Sequence, residues 1–312
     1  MIQAYKNDDN LNICEVSDWH ESQWLNVVQP SREEIETLTR TFNIPLDFIE
    51  DPLDSEESGR TEYDSDSGHS LIIIDFPIVN DSKRKVMSFT TTPIGIILSK
   101  NQIITICSEK YDFLEYLKQQ PLNLKFRSQF AIKLLLDIAT QYNRNLRLLN
   151  KSRIRTERSL KRGITNKHLY DLMEIEKSLL YFFAALNTNS LVFKNLFKLP
   201  AIKRFEEDQE LLEDLHVEHK QSLDTTELYI SILESITSSY TSLLSNEMNT
   251  IMKTLTLFTV FLTLPTLVFS FFGMNVQLPI STDSPVSWLM IIGISLILIC
   301  VTGIFLWRKN KI

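Results

Sequence analysis

The stretch TLTLFTVFLTLPTLVFSFFGMN, Thr254 to Asn275, decides how this chain is built. Its run from Thr254 to Phe272 carries no charge and is long enough for an α-helix, at ~1.5 Å per residue, to cross a hydrocarbon core of ~30 Å. A second uncharged run, Trp288–Trp307, follows a short connection, Gly273–Ser287, so the two spans predict an antiparallel membrane hairpin. Between Thr254 and Trp307 the only charged residue is Asp283. Lys253 lies just before the first span and Arg308, Lys309 and Lys311 just after the second, whereas the connection holds no Lys or Arg. Positive charge is retained on the cytosolic side, so both termini are expected there and the connection outside. Trp288 and Trp307 sit at the two ends of the second span, where indoles favour the interface.

The first span is not uniformly apolar. Thr256, Thr259, Thr263, Thr266 and Ser270 recur at steps of three and four, which puts them on one helical face. Met252, Asn249 and Ser245 continue that face toward the N-terminus. Two readings compete. Hydroxyl and small residues join membrane helices to one another. The same face can also line a water path when several copies surround an axis, with the second spans outermost. Ile291, Ile292, Leu296, Ile297, Leu298 and Ile299 suit that lipid-facing place.

Composition narrows the chemistry. The 312 residues include only 7 Gly, and neither G-x-G-x-x-G nor G-x-x-x-x-G-K-[ST] occurs, so dinucleotide and P-loop readings lose their support. Cys14, Cys107 and Cys300 stand far apart, which is neither a disulfide framework nor a zinc spacing and suits a reducing compartment. The opening MIQAYKNDDNLN has no basic n-region and no apolar h-region, so a signal peptide is not expected. The formal charge is −7. Leaving aside Arg308, Lys309, Lys311 and Asp283, residues 1–253 carry −9. An acidic domain excludes nucleic acid as the expected partner and is compatible with cations.

Outside the membrane spans the chain divides by pattern. Residues 1–110 read as mixed α and β. Trp24–Val28, Ser70–Phe76, Val86–Thr90, Ile94–Leu98 and Gln102–Cys107 are rich in β-branched and aromatic residues, with Asn80-Asp81-Ser82, Pro93 and Lys100-Asn101 as turn formers between them. Ser31 followed by Glu34 is a capping box opening a helix through Ile35, Leu38 and Phe42. The acidic stretch Asp51–Gly68 is expected to be a mobile loop. Residues 111–202 turn helical, with Phe130–Leu149 and Lys167–Phe197 apolar at three- and four-residue steps. A long helix should then run from about Lys203 to Phe272, interrupted by no Gly and by Pro265 alone. Leu212, Leu215, His219, Leu223, Thr226, Ile230, Leu233, Thr237, Tyr240, Leu244, Met248, Ile251 and Leu255 form a stripe along it. A helix of that length needs a packing partner throughout.

Other chemistry is weaker. His216 and His219, with Glu213 a turn earlier, have helical metal-ligand spacing, but one helix seldom completes a coordination shell, and a packed helix face is the preferred reading. Arg153, Arg155 and Arg158 belong to a basic helical stretch expected to pair with acids. No nucleophile–base spacing is recognisable, so the chain is not expected to be an enzyme.

The triplet Gly273-Met274-Asn275, closing the first of two C-terminal spans beneath a long helix and before a basic tail, resembles the signature of the CorA family of magnesium transporters. Asn249-Thr250-Ile251-Met252-Lys253-Thr254-Leu255-Thr256 is similar to that family's entry into its first span, and Trp24–Pro45 to its early strand and capped helix. The resemblance covers essentially the whole chain. It implies an α+β cytosolic domain (1–110, with a helical part 111–202), a stalk helix (203–253), two transmembrane helices (254–272 and 288–307) around an outer loop (273–287), and a basic tail (308–312). The assembly it implies is a homopentameric funnel in a bacterial-type plasma membrane.

The resemblance also implies roles. Gly273, Met274 and Asn275 would form the outer ring that meets a hydrated cation. Asn249, Met252, Thr256, Thr259, Thr263, Thr266 and Ser270 would line the pore. Met252 and Leu255 would constrict it, and Asp214 would take part in regulatory Mg²⁺ sensing with a partner from the N-terminal domain, where Glu50, Asp51, Asp54, Glu56 and Glu57 form an acidic cluster. Mg²⁺ would be both cargo and regulator, with Zn²⁺, Co²⁺ or Ni²⁺ as other candidate ions. Three positions depart from the family pattern. Phe272 stands where Tyr is usual, the loop has Asp283 as its only acid, and Ser238 stands where an acidic ring is common, with Glu234 a turn away. A zinc transporter of the same superfamily and a membrane-anchored coiled-coil scaffold are the alternatives.

Overall fold

The computed structural model describes residues 1–80, 87–110, 117, 122–160, 166–202, 206–276 and 286–309. The Asp81-Ser82 turn, Val86, the start of the stalk at Lys203, Asp283 with the rest of loop 277–285, and tail residues 310–312 lie outside the described residues. The chain divides into two compact units, Met1–Glu234 and Ser235–Ile312.

In the first unit, seven strands form one mixed sheet: β1 (Ile2–Asn7), β2 (Ile13–Val16), β3 (Trp24–Val28), β4 (Arg60–Tyr63), β5 (Ser70–Asn80), β6 (Ser88–Leu98) and β7 (Ile103–Cys107). The order is β2-β1-β3-β7-β6-β5-β4, with β3–β7 parallel and every other pair antiparallel. Burial on both faces explains the near-continuous apolar runs in β5, β6 and β7. Side chains alternate across the strands. Leu25, Val27, Leu71, Ile73, Ile97, Ile104 and Ile106 pack with Leu38 of α1 (Arg32–Phe42), Phe48 and Ile49 of α2 (Leu46–Glu50), and Ile44 between the two helices. The opposite face meets α3 (Arg127–Leu160) and α4 (Asn166–Asn195). Trp24 lies 5.1 Å from Phe130, and Phe89 5.7 Å from Phe182, between ring centroids. The α1 capping box is formed in full: Glu34 N–H donates to Ser31 Oγ, and Ser31 N–H to Glu34 Oε2.

The structure departs from two sequence expectations. Val86–Thr90 and Ile94–Leu98 are not separate strands, because β6 runs unbroken through Pro93. Pro93 pairs with Asp75, whose own N–H and C=O turn away from β6 to the Asn189 side chain at 3.0 and 2.9 Å. β7 ends opposite Ile94, so Pro93 removes no ladder donor that a neighbour needs. Residues 51–68 are also not one mobile loop. Arg60 holds Asp51 at 2.5 Å, Glu62 at 3.4 Å and Glu57, and β4 begins at Arg60. Three of the seven acids in this stretch, Asp51, Glu57 and Glu62, are ligands of one guanidinium.

Asp75 sits where β5 has outrun β4. Beyond Ile73, the last β5 residue that β4 pairs, the carboxamide of Asn189 stands in for a neighbouring strand and Tyr142 Oη donates to Asp75 O at 3.1 Å. The Asp75 carboxyl has Thr188 Oγ1 at 3.4 Å, and burial pushes its pKa up to about 6. The folded state therefore holds this proton more tightly than the unfolded chain, with its carboxyl near 3.9. The Asp75 contribution is present below pH ~4 and lost as the pH rises through 6, at a cost of roughly 3 kcal/mol. Asp75→Asn should raise the melting temperature of the full chain at pH 8 and leave it nearly unchanged at pH 4.5. An equal shift at both pH values would contradict this origin.

The long helix α5 (Glu206–Phe272) has 67 residues and belongs to both units. In the first it buries Leu212, Leu215, His219, Ser222, Thr226 and Leu233. Ser222, not Leu223, holds the covered position, because Ser222 can approach the Ala139 carbonyl of α3 closely, at 3.4 Å. Asn143 of α3 also donates to Glu218 O and Oε2, at 3.1 and 2.6 Å. In the second unit Tyr240 is buried, but every position from Thr241 to Thr256 is exposed. Among the described residues the predicted stripe thus has no intrachain partner over that length. The helix continues through Pro265. α6 (Ser287–Lys309) completes the second unit. Both apolar stretches are long and apolar enough to cross a membrane, and almost none of their residues is buried within the described chain.

Candidate functional site

Two faces of α5 distinguish its membrane segment. Leu257, Val260, Phe261, Leu264, Pro265, Val268 and Phe272 are its less exposed positions. This face meets α6, where a Cβ at Gly303 would lie 3.7 Å from the Phe261 ring. The covered positions of α6 include Ile291, Ser295, Ile299, Thr302, Gly303 and Leu306. Ile291 and Ile299 are therefore turned partly inward, whereas Ile292, Leu296, Ile297 and Leu298 are exposed. At ~100° per residue, Thr256, Thr259, Thr263, Thr266 and Ser270 lie roughly half a turn from the face packed on α6. All five are exposed. They do not join the two spans of one hairpin.

Four of these hydroxyls share a geometry that periodicity alone could not give. Thr256, Thr259, Thr263 and Thr266 each donate to the carbonyl four residues back, at 2.8, 2.9, 2.7 and 2.8 Å. Their only protons are occupied, and their oxygens keep lone pairs for an outside partner. The result is a row of acceptors without donors. Such a row favours water hydrogens and cations over anions.

The row leads toward Gly273, Met274 and Asn275. Gly273 N–H donates to Phe269 O at 2.9 Å and closes the helix. A Cβ at Gly273 would meet that carbonyl at 3.1 Å, so a larger residue would crowd the turn. Met274 and Asn275 are exposed. Phe272, at the family's usual Tyr position, packs edge-on to Phe271 with centroids 5.4 Å apart. At the other end, Asn249, Met252 and Leu255 are exposed, with Met252 at 53% and Leu255 at 59%. These residues follow one another along a helix rather than converging on a cavity within one chain.

Asp214 is exposed on α5. Of the acids suggested as its companions, Asp51 and Glu57 are already bound to Arg60. His216 and His219 do not form a metal pair. His219 Nε2 contacts Ser190 Oγ at 2.8 Å, its ring stands edge-on to Phe193 at 4.7 Å, and burial lowers its pKa to about 4. His216 Nδ1 bonds Leu212 O at 3.0 Å. Among the described residues no group of three or more His, Cys, Asp or Glu is arranged to hold a metal. Arg153 pairs with Glu157 at 3.2 Å on the same helix.

Two further clusters had no signal in the sequence. One is the Asp75, Tyr142, Thr188 and Asn189 group. The other is a cleft bringing His20, His69 and Lys100 together. Their members come from distant segments without a common spacing, so only the sheet topology assembles them.

A family model described as CorA-like Mg²⁺ transporter protein matches residues 19–309. The cobalt/magnesium transport protein CorA of Methanocaldococcus jannaschii is 28% identical over 297 residues, spanning 92% of this chain and 90% of the relative. The complete structure of the CorA magnesium transporter from Methanocaldococcus jannaschii superposes with a TM-score of 0.81 at 23% identity, covering 99% of this chain and 98% of that one. The full-length CmaX protein superposes at 0.74 with 13% identity, over 100% and 97% of the two chains. These structural likenesses concern the fold.

Proposed function

The chain belongs to the CorA-like Mg²⁺ transporter family, and from that premise we propose that it is a channel for Mg²⁺ entry formed by a ring of five copies. The acceptor-only hydroxyl row opposite α6 is the observation that carries this reading. Placed around an axis, the rows of several copies surround a water path while the α6 helices take the lipid side. The row also argues against a scaffold held by hydroxyl contacts, because two identical acceptor faces cannot donate to each other in this conformation.

In this arrangement Gly273, Met274 and Asn275 meet the incoming ion. Mg²⁺ releases water reluctantly. Neutral carbonyl oxygens, such as that of Asn275, hold the hydrated ion through its own water hydrogens and select by spacing and dipole strength. The hydroxyl oxygens of Thr266, Thr263, Thr259 and Thr256 continue that role along the wall. Met252 and Leu255 form an apolar constriction near the cytosolic end, beside Asn249. No hydrolysis is required. At 100 mV, negative inside, entry of a divalent ion is favoured by about 4.6 kcal/mol, at ~2.3 per charge.

Control is assigned to the cytosolic side, where Mg²⁺ bound between copies at acids including Asp214 favours the closed state and its release the open one. Such control works only through tighter binding to one state. Both termini then lie in the cytosol of a bacterial-type plasma membrane.

Purified full-length protein in proteoliposomes, with an internal Mg²⁺ dye and an inside-negative potential, tests the proposal. Mg²⁺ influx should rise with potential and fall when the lumen facing the soluble domain is preloaded with Mg²⁺. Zn²⁺ influx without Mg²⁺ influx would favour a zinc transporter. Silence for both ions in folded, oriented protein would favour the scaffold.

A further inference from the structure

The first unit contains a polar cleft of about 340 Å³ at one edge of its helix layer, lined by His20, Thr41, Phe42, Ser67, His69 and the β6–β7 turn Ser99-Lys100-Asn101-Gln102. Among the described residues no acid lines it, although residues 1–253 carry a net −9. We propose that this cleft binds a small phosphate-bearing anion. The proposal goes beyond ion transport and does not depend on it.

The walls are built rather than incidental. Ser99 N–H donates to Gln102 O at 3.0 Å, closing the turn that presents Lys100 and Asn101. Gln102 is buried, and its Nε2 donates to Trp19 O at 2.7 Å and Ser22 O at 3.1 Å, which ties this turn to the segment carrying His20. His69 is also buried, with Nε2 at 3.2 Å from Phe42 O and Nδ1 at 2.6 Å from Ser99 Oγ. A carbonyl only accepts, so Nε2 carries the proton and, in the neutral ring, Ser99 donates to Nδ1. Phe42 O, an α1 carbonyl that would otherwise oppose an anion, is thereby engaged.

The Asp64 carboxylate is likewise engaged by the Ser67 N–H, at 2.9 Å, and by the Ser67 hydroxyl. The groups left for a ligand are the Lys100 ammonium, the His20 ring, the Thr41 hydroxyl and the Asn101 amide. Lysine supplies a mobile point charge for phosphate, and neutral donors fix its oxygens. The His20 and Phe42 rings, 5.9 Å apart between centroids, add an aromatic wall. The volume lies at the lower end of the range for small-molecule sites.

Isothermal titration of the full chain in detergent, without an ion gradient, separates this proposal from the transport reading. The probes are inorganic phosphate and adenosine monophosphate. Saturable binding of either is expected, weaker at high salt. Tighter binding of the nucleotide would assign its ring to the Phe42 wall, and equal binding would assign the site to phosphate alone; both support the cleft. Lys100→Gln and Asn101→Asp should each weaken binding at least ~10-fold, while Lys177→Gln on α4 should not change it. Unchanged melting temperatures would establish that the exposed substitutions leave the fold intact. No saturable heat up to about 10 mM of either probe, or equal binding by wild type and Lys100→Gln, would overturn the proposal.

Discussion

Asn275→Ala is expected to reduce Mg²⁺ influx at least ~100-fold in the proteoliposome assay, with folding and oligomeric state unchanged. Asn275 is exposed just beyond the end of α5, so truncation removes no intrachain packing. In the proposed ring, each copy loses one carbonyl dipole facing the hydrated ion. A hydrogen bond contributes about 0.5–1.5 kcal/mol net, and more when one partner is charged. Five losses at the same ion therefore weaken occupancy by about 2.5–7.5 kcal/mol, a factor of roughly 100 or more. Asn275→Gln retains the carboxamide but moves it outward by one methylene, so partial rescue is expected. Normal selective influx in Asn275→Ala would remove the filter role, and a scaffold would tolerate either substitution.

Gly95→Ala should lower stability by about 1–3 kcal/mol, the usual range for overpacking. The Cβ would lie 2.3 Å from Pro52 Cγ and 2.8 Å from Pro52 Cβ. Neither side yields readily. Gly95 pairs with Ile73 on β5 and Ile106 on β7, which fix its backbone, and the pyrrolidine ring has few conformations. The melting temperature of the full chain should fall by roughly 2–12 °C, at about 2–4 °C per kcal/mol for a unit of this size. Pro52→Ala in the same chain should recover part of the loss by removing the ring. A melting temperature unchanged in Gly95→Ala would mean that the 51–53 turn moves freely.

The extent to which each region was legible follows from its interactions. Trp24–Val28 and the Ser31 capping box depend on local preference and on atoms three residues apart, and both are found where their sequence places them. Pro93 was read as a break because a proline's usual effect is local. Its tolerance depends on β7 having ended and on Asn189, nearly a hundred residues later, engaging Asp75. Asp51, Glu57 and Glu62 looked solvated because nothing in their spacing shows that Arg60 gathers them.

The sequence alone determined the two membrane spans, the face occupied by Thr256, Thr259, Thr263, Thr266 and Ser270, and the resemblance carried by Gly273-Met274-Asn275. Charge exclusion from lipid and helical periodicity act over a few turns, so a linear chain records them directly. The tertiary structure decided which face of α5 packs on α6, where the threonine hydroxyl protons point, and how His20, His69 and Lys100 come to share one cleft. Those outcomes depend on distances between separated segments and on the direction of individual donors, which side-chain spacing along a chain does not specify.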